Sequence, residues 1–199
     1  MRTGIFKYAG AERASLLGAR MQMISEFYGC PSGVHGGKTD ACLPGVRAGV
    51  EKGLSMLLPV LCGAVGFGTI GHIENAVTFS PLQLVMDNEI ARYVRRAVHG
   101  FEVSDETVNF DLIRRVGIGG NYLTEEETVR DFREFLNLSP FWSVVPWSGD
   151  YDALRWENMA REKVRELLAN EVPSPLSPEQ IRAVDDIVRE AEAKADARR

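Results

Sequence analysis

Positive charge is the first thing this sequence is short of: 23 Lys and Arg stand against 28 Asp and Glu, a net charge of −5. No basic field gathers phosphates, so nucleic-acid binding is excluded as a leading function. Cysteine is scarce and odd in number, at Cys30, Cys42 and Cys62, which excludes a disulfide scaffold. The opening Met1-Arg2-Thr3-Gly4 has no apolar segment of the signal-peptide kind. Together these predict reduced thiols and a cytoplasmic location. Gly53 to Gly71 is uncharged, but Pro59 and the glycines at 53, 63, 66, 68 and 71 break it. It reads as a buried helix end followed by a buried strand, with no membrane span. The chain also falls short of the roughly 250 residues of a closed (β/α)8 barrel. What is present, 45% hydrophobic and 26% charged residues, is the balance of one globular core.

Apolar spacing predicts a helix over Ala11–Tyr28 with Leu16, Arg20, Met23 and Phe27 in register, stopped by Gly29-Cys30-Pro31. A short strand follows at Ser32–Gly36, then a helix over Pro44–Leu58 and a buried strand over Val60–Phe67. This alternation is that of an α/β fold with a parallel sheet, whose ligands bind at strand ends. Beyond Ser80 the pattern is helical. Ser80-Pro81-Leu82-Gln83 reads as a capping box, Ser104 opens a helix towards Val116, and Thr124-Glu125-Glu126-Glu127 reads as another box. A helix is expected over Asp152–Asn170 and, after the linker Val172–Pro178, a last one capped by Ser177 and running to Ala197. Residues 1–170 thus form the main domain and 171–199 a linker with a helical tail. Ile181, Val184, Val188, Ala191 and Ala195 give that tail a narrow stripe suited to loose packing or a partner.

Several clusters carry candidate chemistry. Gly66-Phe67-Gly68-Thr69-Ile70-Gly71 fits the glycine pattern of a dinucleotide site with Glu89 downstream, yet no helix start is marked at those glycines. Cys30, His35 and Cys42, with Asp40 between them, have no standard zinc spacing; an open catalytic zinc site and an ordinary loop both remain compatible. Gly36-Gly37-Lys38-Thr39-Asp40-Ala41 concentrates permissive backbone, a cation, a hydroxyl and a carboxylate at one strand end, either as an active-site loop or as the polar cap of the next helix. His72-Ile73-Glu74-Asn75 occupies the equivalent place after the next strand. Lys38, Asp40, His72 and Glu74 would then face one cleft, and histidine is the residue type that changes charge near neutral pH. Asp87-Asn88-Glu89 lies off the apolar stripe of Val85, Met86 and Ile90 and reads as structural, a solvated face or a tie to a neighbouring helix or loop.

The segments Gly36–Ala41, Ala48–Lys52, Thr78–Ile90 and Val116–Leu123, together with Tyr28–Pro31 and Ala160–Val164, resemble the trimethylamine methyltransferase family, which includes glycine betaine methyltransferases. The resemblance implies the C-terminal portion of a (β/α)8 barrel. It implies methyl transfer from a methylated or quaternary amine to the Co(I) of a corrinoid, a cobalamin carried on a separate protein, with no cofactor held tightly by this chain. His72 takes the catalytic position on that alignment, and Gly37, Lys38, Asp40 and Glu74 the substrate-binding ones. The expected partners are the corrinoid carrier protein, the small methylated amine and further copies of the chain. The same resemblance admits an inactive half-barrel that serves assembly or binds the corrinoid protein, and a zinc-dependent methyl transfer. This chain departs from the family at Cys42, Arg47, Leu82, Ile118 and Asn121.

Overall fold

The computed structural model describes residues 9–136, 139, 141, 154–170 and 172–196. Two compact units divide the chain, 1–164 and 165–199. In the first, helix α1 (Ala11–Gln22) continues through a π-helical turn (Met23–Phe27) as the spacing predicts. Its buried face is Ala14, Leu17, Gly18 and Met21; Leu16 and Phe27, expected in the stripe, are 71% and 79% exposed. Strand β1 (Gly33–Val34) leads to helix α2 (Val46–Leu61) and strand β2 (Gly66–Phe67), which pairs with β1 in parallel, Gly33 opposite Gly66 and Val34 opposite Phe67. This is a strand–helix–strand crossover, the unit that parallel pairing requires.

The buried strand expected over Val60–Phe67 shrinks to those two half-buried residues. Helix α2 runs on through Pro59 to Leu61, and an apolar run alone cannot separate a helix end from a strand. Pro59 has no N–H for the Ser55 carbonyl, and Gly36 packs against that oxygen, where a Cβ would lie 2.7 Å away. Pro44 precedes the first turn of α2, which opens at Gly45. The core has two parts. Leu17, Met21, Val34 and Ala64 join α1 to β1 and the end of α2; Met56, Ile90, Ala91 and Val94 join α2 to α3, with Phe67 touching both groups.

Strands β3 (His72–Ile73) and β4 (Thr78–Phe79) form a separate antiparallel pair with His72 opposite Phe79. Helix α3 (Pro81–His99) follows. Its Ser80 cap accepts from the Gln83 N–H (3.2 Å), but the reciprocal half of the expected box is missing, because the Ser80 N–H donates to the Gly71 carbonyl (2.8 Å) instead of the Gln83 side chain. The helix expected from Ser104 to Val116 is broken into α4 (Asp105–Val108) and α5 (Phe110–Val116) by left-handed Asn109. Helix α6 (Glu126–Phe135) begins after Glu125 with no side-chain cap, so Thr124 does not start it.

Helix α7 (Arg155–Ala169) ends in the second unit, which also holds α8 (Pro178–Asp196). Ser177 and Gln180 cap α8 reciprocally, and none of its side chains is buried. The helix start expected at Asp152 and the end at Ala197 lie outside the described residues. Among the described residues no helix is long and apolar enough to cross a membrane. The chain is helix-rich with few, short strands, a partial α/β arrangement.

Candidate functional site

Two loops leave the carboxyl ends of β1 and β2, and backbone hydrogen bonds bring them together. The Gly37 N–H donates to the Gly68 carbonyl (2.9 Å), the Asn75 N–H to Thr39 (2.7 Å) and the Glu74 N–H to Ala41 (2.9 Å). His35 Nδ1 and Thr69 Oγ1 are 3.0 Å apart across the same seam. Gly37 is required for this approach: a Cβ there would sit 2.7 Å from the Thr69 carbonyl oxygen. The loops carrying Gly37, Lys38, Asp40, His72 and Glu74 are therefore neighbours, as the reading of the strand ends predicts.

The individual placements differ. Gly37 is buried, Lys38 and Asp40 are half-buried, and Asp40 Oδ2 accepts the Ala9 N–H (2.8 Å). His72 is half-buried, its Nδ1 3.1 Å from the Ile70 carbonyl and its ring edge-on to Phe79 at 5.6 Å between centroids. A carbonyl only accepts, so Nδ1 carries the proton of that bond and Nε2 stays available. Glu74 is exposed and accepts from Thr78 Oγ1 (2.8 Å). Thr69, Glu74, Asn75 and Ala76 all have φ between 54° and 71°, a left-handed backbone that costs an L-residue about 1–2 kcal/mol. Strain of this kind concentrates at functional sites, and here it brackets His72 and Ile73.

The first loop is held by α2 residues that the sequence reading did not single out, and the second by Asp87, which it read as structural. Three side chains of α2 reach the first: Ser55 Oγ donates to the Gly36 carbonyl, Lys52 Nζ to the Gly37 carbonyl (2.7 Å), and Glu51 Oε2 accepts from Thr39 Oγ1 (2.6 Å) and the Asp40 N–H (2.9 Å). From α3, Asp87 Oδ2 meets Lys52 Nζ at 2.5 Å and accepts the Gly71 N–H (2.7 Å), while Oδ1 accepts from Gln83 Nε2 (2.6 Å). Lys52 and Asp87 are both fully buried. Burial pushes the Lys52 ammonium below its ordinary range against the pull of Asp87, and pushes the Asp87 carboxyl up despite Lys52, Gln83 and Gly71. Desolvation thus outweighs pairing, the expected balance for an enclosed ion pair. The solvated-face reading of Asp87-Asn88-Glu89 fails for its two acids. Only Asn88 is exposed, and Glu89 is buried and accepts from Ser139. The alternative, a tie between neighbouring elements, describes Asp87. The one available sequence signal was a lysine and a glutamate set against an uncharged run.

The other motifs do not assemble. Cys30 and Cys42 are exposed, and no group of three His, Cys, Asp or Glu among the described residues is arranged to hold a metal. The glycines at 66–71 lead into β3, with no helix start to face a pyrophosphate. A cavity of about 800 Å3 lies at the end of α3, lined by His99, Phe101, Tyr122 and Phe132. Of its four acids, Glu102, Glu106, Glu127 and Asp131, the last two are paired with Arg115 and Arg130.

Residues 1–195 match the model of the family described as trimethylamine methyltransferase (MTTB). Over 186 residues the chain is 34% identical to trimethylamine methyltransferase MttB of Methanosarcina barkeri, covering 92% of this chain and 37% of that protein. It is 36% identical over 172 residues to the MttB of Methanosarcina thermophila, covering 84% and 35% respectively. It is 31% identical over 184 residues to the glycine betaine methyltransferase of Desulfitobacterium hafniense strain Y51, covering 90% and 38%. The chain therefore spans little more than a third of the length of these curated relatives.

Proposed function

The chain belongs to the trimethylamine methyltransferase family, and on that premise we propose that it forms the substrate-side part of a corrinoid-dependent amine methyltransferase. In this reading it is the C-terminal portion of a (β/α)8 barrel, and the parallel β1–α2–β2 unit supports that architecture. The observation that carries the proposal is the junction of the two strand-end loops. Glu74 and Asn75 of one loop hydrogen-bond the backbone of Ala41 and Thr39 in the other, which supports a shared site for Gly37, Lys38, Asp40, His72 and Glu74. A docked carrier protein would supply the corrinoid, whose Co(I) accepts the methyl group. Lys38, Asp40 and His72 are half-buried and Glu74 is exposed, which fits the approach of a partner's cofactor better than tight retention by this chain.

The chain's own residues then have limited tasks. Lys52, Ser55 and Glu51 fix the first loop, and Asp87 the second, so that an amine bound between them is held in line. His72 keeps Nδ1–H on the Ile70 carbonyl and turns Nε2 to the leaving nitrogen of a tertiary amine; as the imidazolium it delivers the Nε2 proton there and is left as the neutral Nδ1–H tautomer. A quaternary ammonium leaves as a neutral amine and needs no proton; the carboxylates of Asp40 and Glu74 then complement its charge. The second reading is an inactive module for assembly or carrier binding.

One experiment separates the two. The chain replaces the matching 184 residues of the D. hafniense glycine betaine methyltransferase, and methylation of a Co(I) carrier is followed by absorbance with glycine betaine or trimethylamine as donor. Transfer is expected; with trimethylamine as donor His72→Ala should lower it about 100-fold, and His99→Ala should leave it nearly unchanged. A folded chimera that docks the carrier without transferring methyl overturns the enzymatic reading in favour of the module. Equal losses from the two histidine changes would remove His72 from its role.

A further inference from the structure

We infer that Asp87 is the positioning residue for His72, acting through the Gly71 amide, and that Lys52 yokes this second loop to the first; the inference rests on the proposed role of His72. The geometry is a short chain of contacts. Gly71 lies between Ile70, whose carbonyl receives His72 Nδ1, and His72 itself. The Gly71 N–H is spent on Asp87 Oδ2 (2.7 Å) and its carbonyl on the Ser80 N–H (2.8 Å). The two peptide units that flank Gly71 are therefore both anchored on α3, one on Asp87 in its second turn and the other on its N-cap residue Ser80. Gly71 has φ 80°, and a Cβ there would lie 2.6 Å from the Phe79 ring, the ring that packs edge-on against His72. The turn that aims the imidazole can close only on glycine, with a carboxylate beneath it. The same carboxylate oxygen meets Lys52 Nζ, whose other bond goes to the Gly37 carbonyl of the first loop. A buried carboxylate is a costly way to glue two helices, since desolvation outweighs its pairing. As a strong acceptor aimed at one backbone N–H it does what an apolar side chain cannot.

This distinguishes positioning from packing. Replacing the pair by apolar groups, Lys52→Met with Asp87→Leu, preserves the α2–α3 contact and removes the acceptor. Replacing it by Lys52→Met with Asp87→Asn removes the charges but keeps a carbonyl oxygen for Gly71. The test is made on the full 199-residue chain, reading the His72 tautomer from its side-chain 15N shifts and folding from the thermal transition. Wild type is expected to hold the Nδ1–H form. The Leu variant should stay folded with its Nδ1–H fraction at least threefold lower, and the Asn variant should restore it. A folded Leu variant with the wild-type tautomer overturns the inference, and so does equal loss in both variants. Should the Leu variant not fold, amide exchange in the wild type decides. Gly71 should exchange at least a hundredfold slower than an unprotected loop amide, and free-loop exchange overturns the inference. None of these readouts depends on methyl transfer, so a silent chimera would count against the enzyme and not against Asp87.

Discussion

Glu51 gathers three donors on one carboxylate, Thr39 Oγ1, the Asp40 N–H and Arg47 Nε. Burial pushes the carboxyl up, but the hydrogen bonds from Thr39, Arg47 and Asp40 outweigh it and hold the group below its ordinary 4.5. A folded carboxylate held low gives stability that is complete above the ordinary glutamate range and is lost as pH falls through the lowered value. The Arg47 arm is exposed and adds little. Glu51→Gln should therefore cost about 1–2 kcal/mol at pH 7, with the gap to wild type closing below about pH 4; urea unfolding across that range measures it. A gap independent of pH would mean that shape, and not charge, holds the loop. Gly37 makes a second residue-scale test. Its missing Cβ faces the carbonyl oxygens of Thr69 and Gly68, at 2.7 and 2.9 Å, so Gly37→Ala should destabilise by about 1–3 kcal/mol. Gly49, within α2 and open to space, is the control: Gly49→Ala should stabilise by about 0.5–1 kcal/mol. Similar effects at both positions would show that the loop seam is not tight.

Among the elements, the helix starts marked by serine were legible, at Ser80, Ser104 and Ser177, because the capping bond is local and needs only the neighbouring residues, whereas the start read at Thr124 does not form. Helix interiors were less so. The buried face of α3 includes Gln83, Asp87 and Glu89, and polar groups enter a core only when distant residues pair with them, which a hydropathy pattern does not contain. The candidate loops could be located for a related reason. Glycine and charge at a strand end mark them, whereas the α2 and α3 side chains that hold them look like ordinary helix surface. Breaks without glycine or proline were illegible too. At Asn109 α4 and α5 are separated by φ 49° and ψ 60°, and the Asn109 side chain caps Leu112 N–H at 3.1 Å. Asn109→Ala loses the cap and keeps the strain, and should cost about 2 kcal/mol. Asn109→Gly loses the cap but relaxes the backbone and should cost clearly less. Thermal unfolding of the two variants checks the order, and its reversal would mean that the turn at 109 is not left-handed in solution.

At the scale of the whole molecule the first unit leaves much apolar surface open. Among the described residues the strands form two separate pairs of two-residue strands, and β1–β2 has an unpaired edge on either side. Leu16, Met23, Phe27 and Tyr28 are exposed along α1 and its π turn, and Val46, Val50, Leu54 and Leu61 along α2. On α2 these positions recur at four, four and seven residues, a continuous stripe on a helix surface. Patches of this extent on a soluble protein mark a contact surface. We propose that free chains associate through it, each copy covering the other's stripe. Sedimentation at micromolar concentration should show dimers or larger species. Val50→Glu with Leu54→Glu, which places charge in the middle of the stripe, should weaken association at least tenfold with the thermal transition little changed. Arg92→Glu, at an exposed position of α3 away from both stripes, should leave association as it is. A wild-type chain that stays monomeric and binds no apolar dye would overturn the proposal. Dissociation by Arg92→Glu but not by the α2 changes would move the contact to the outer face of α3.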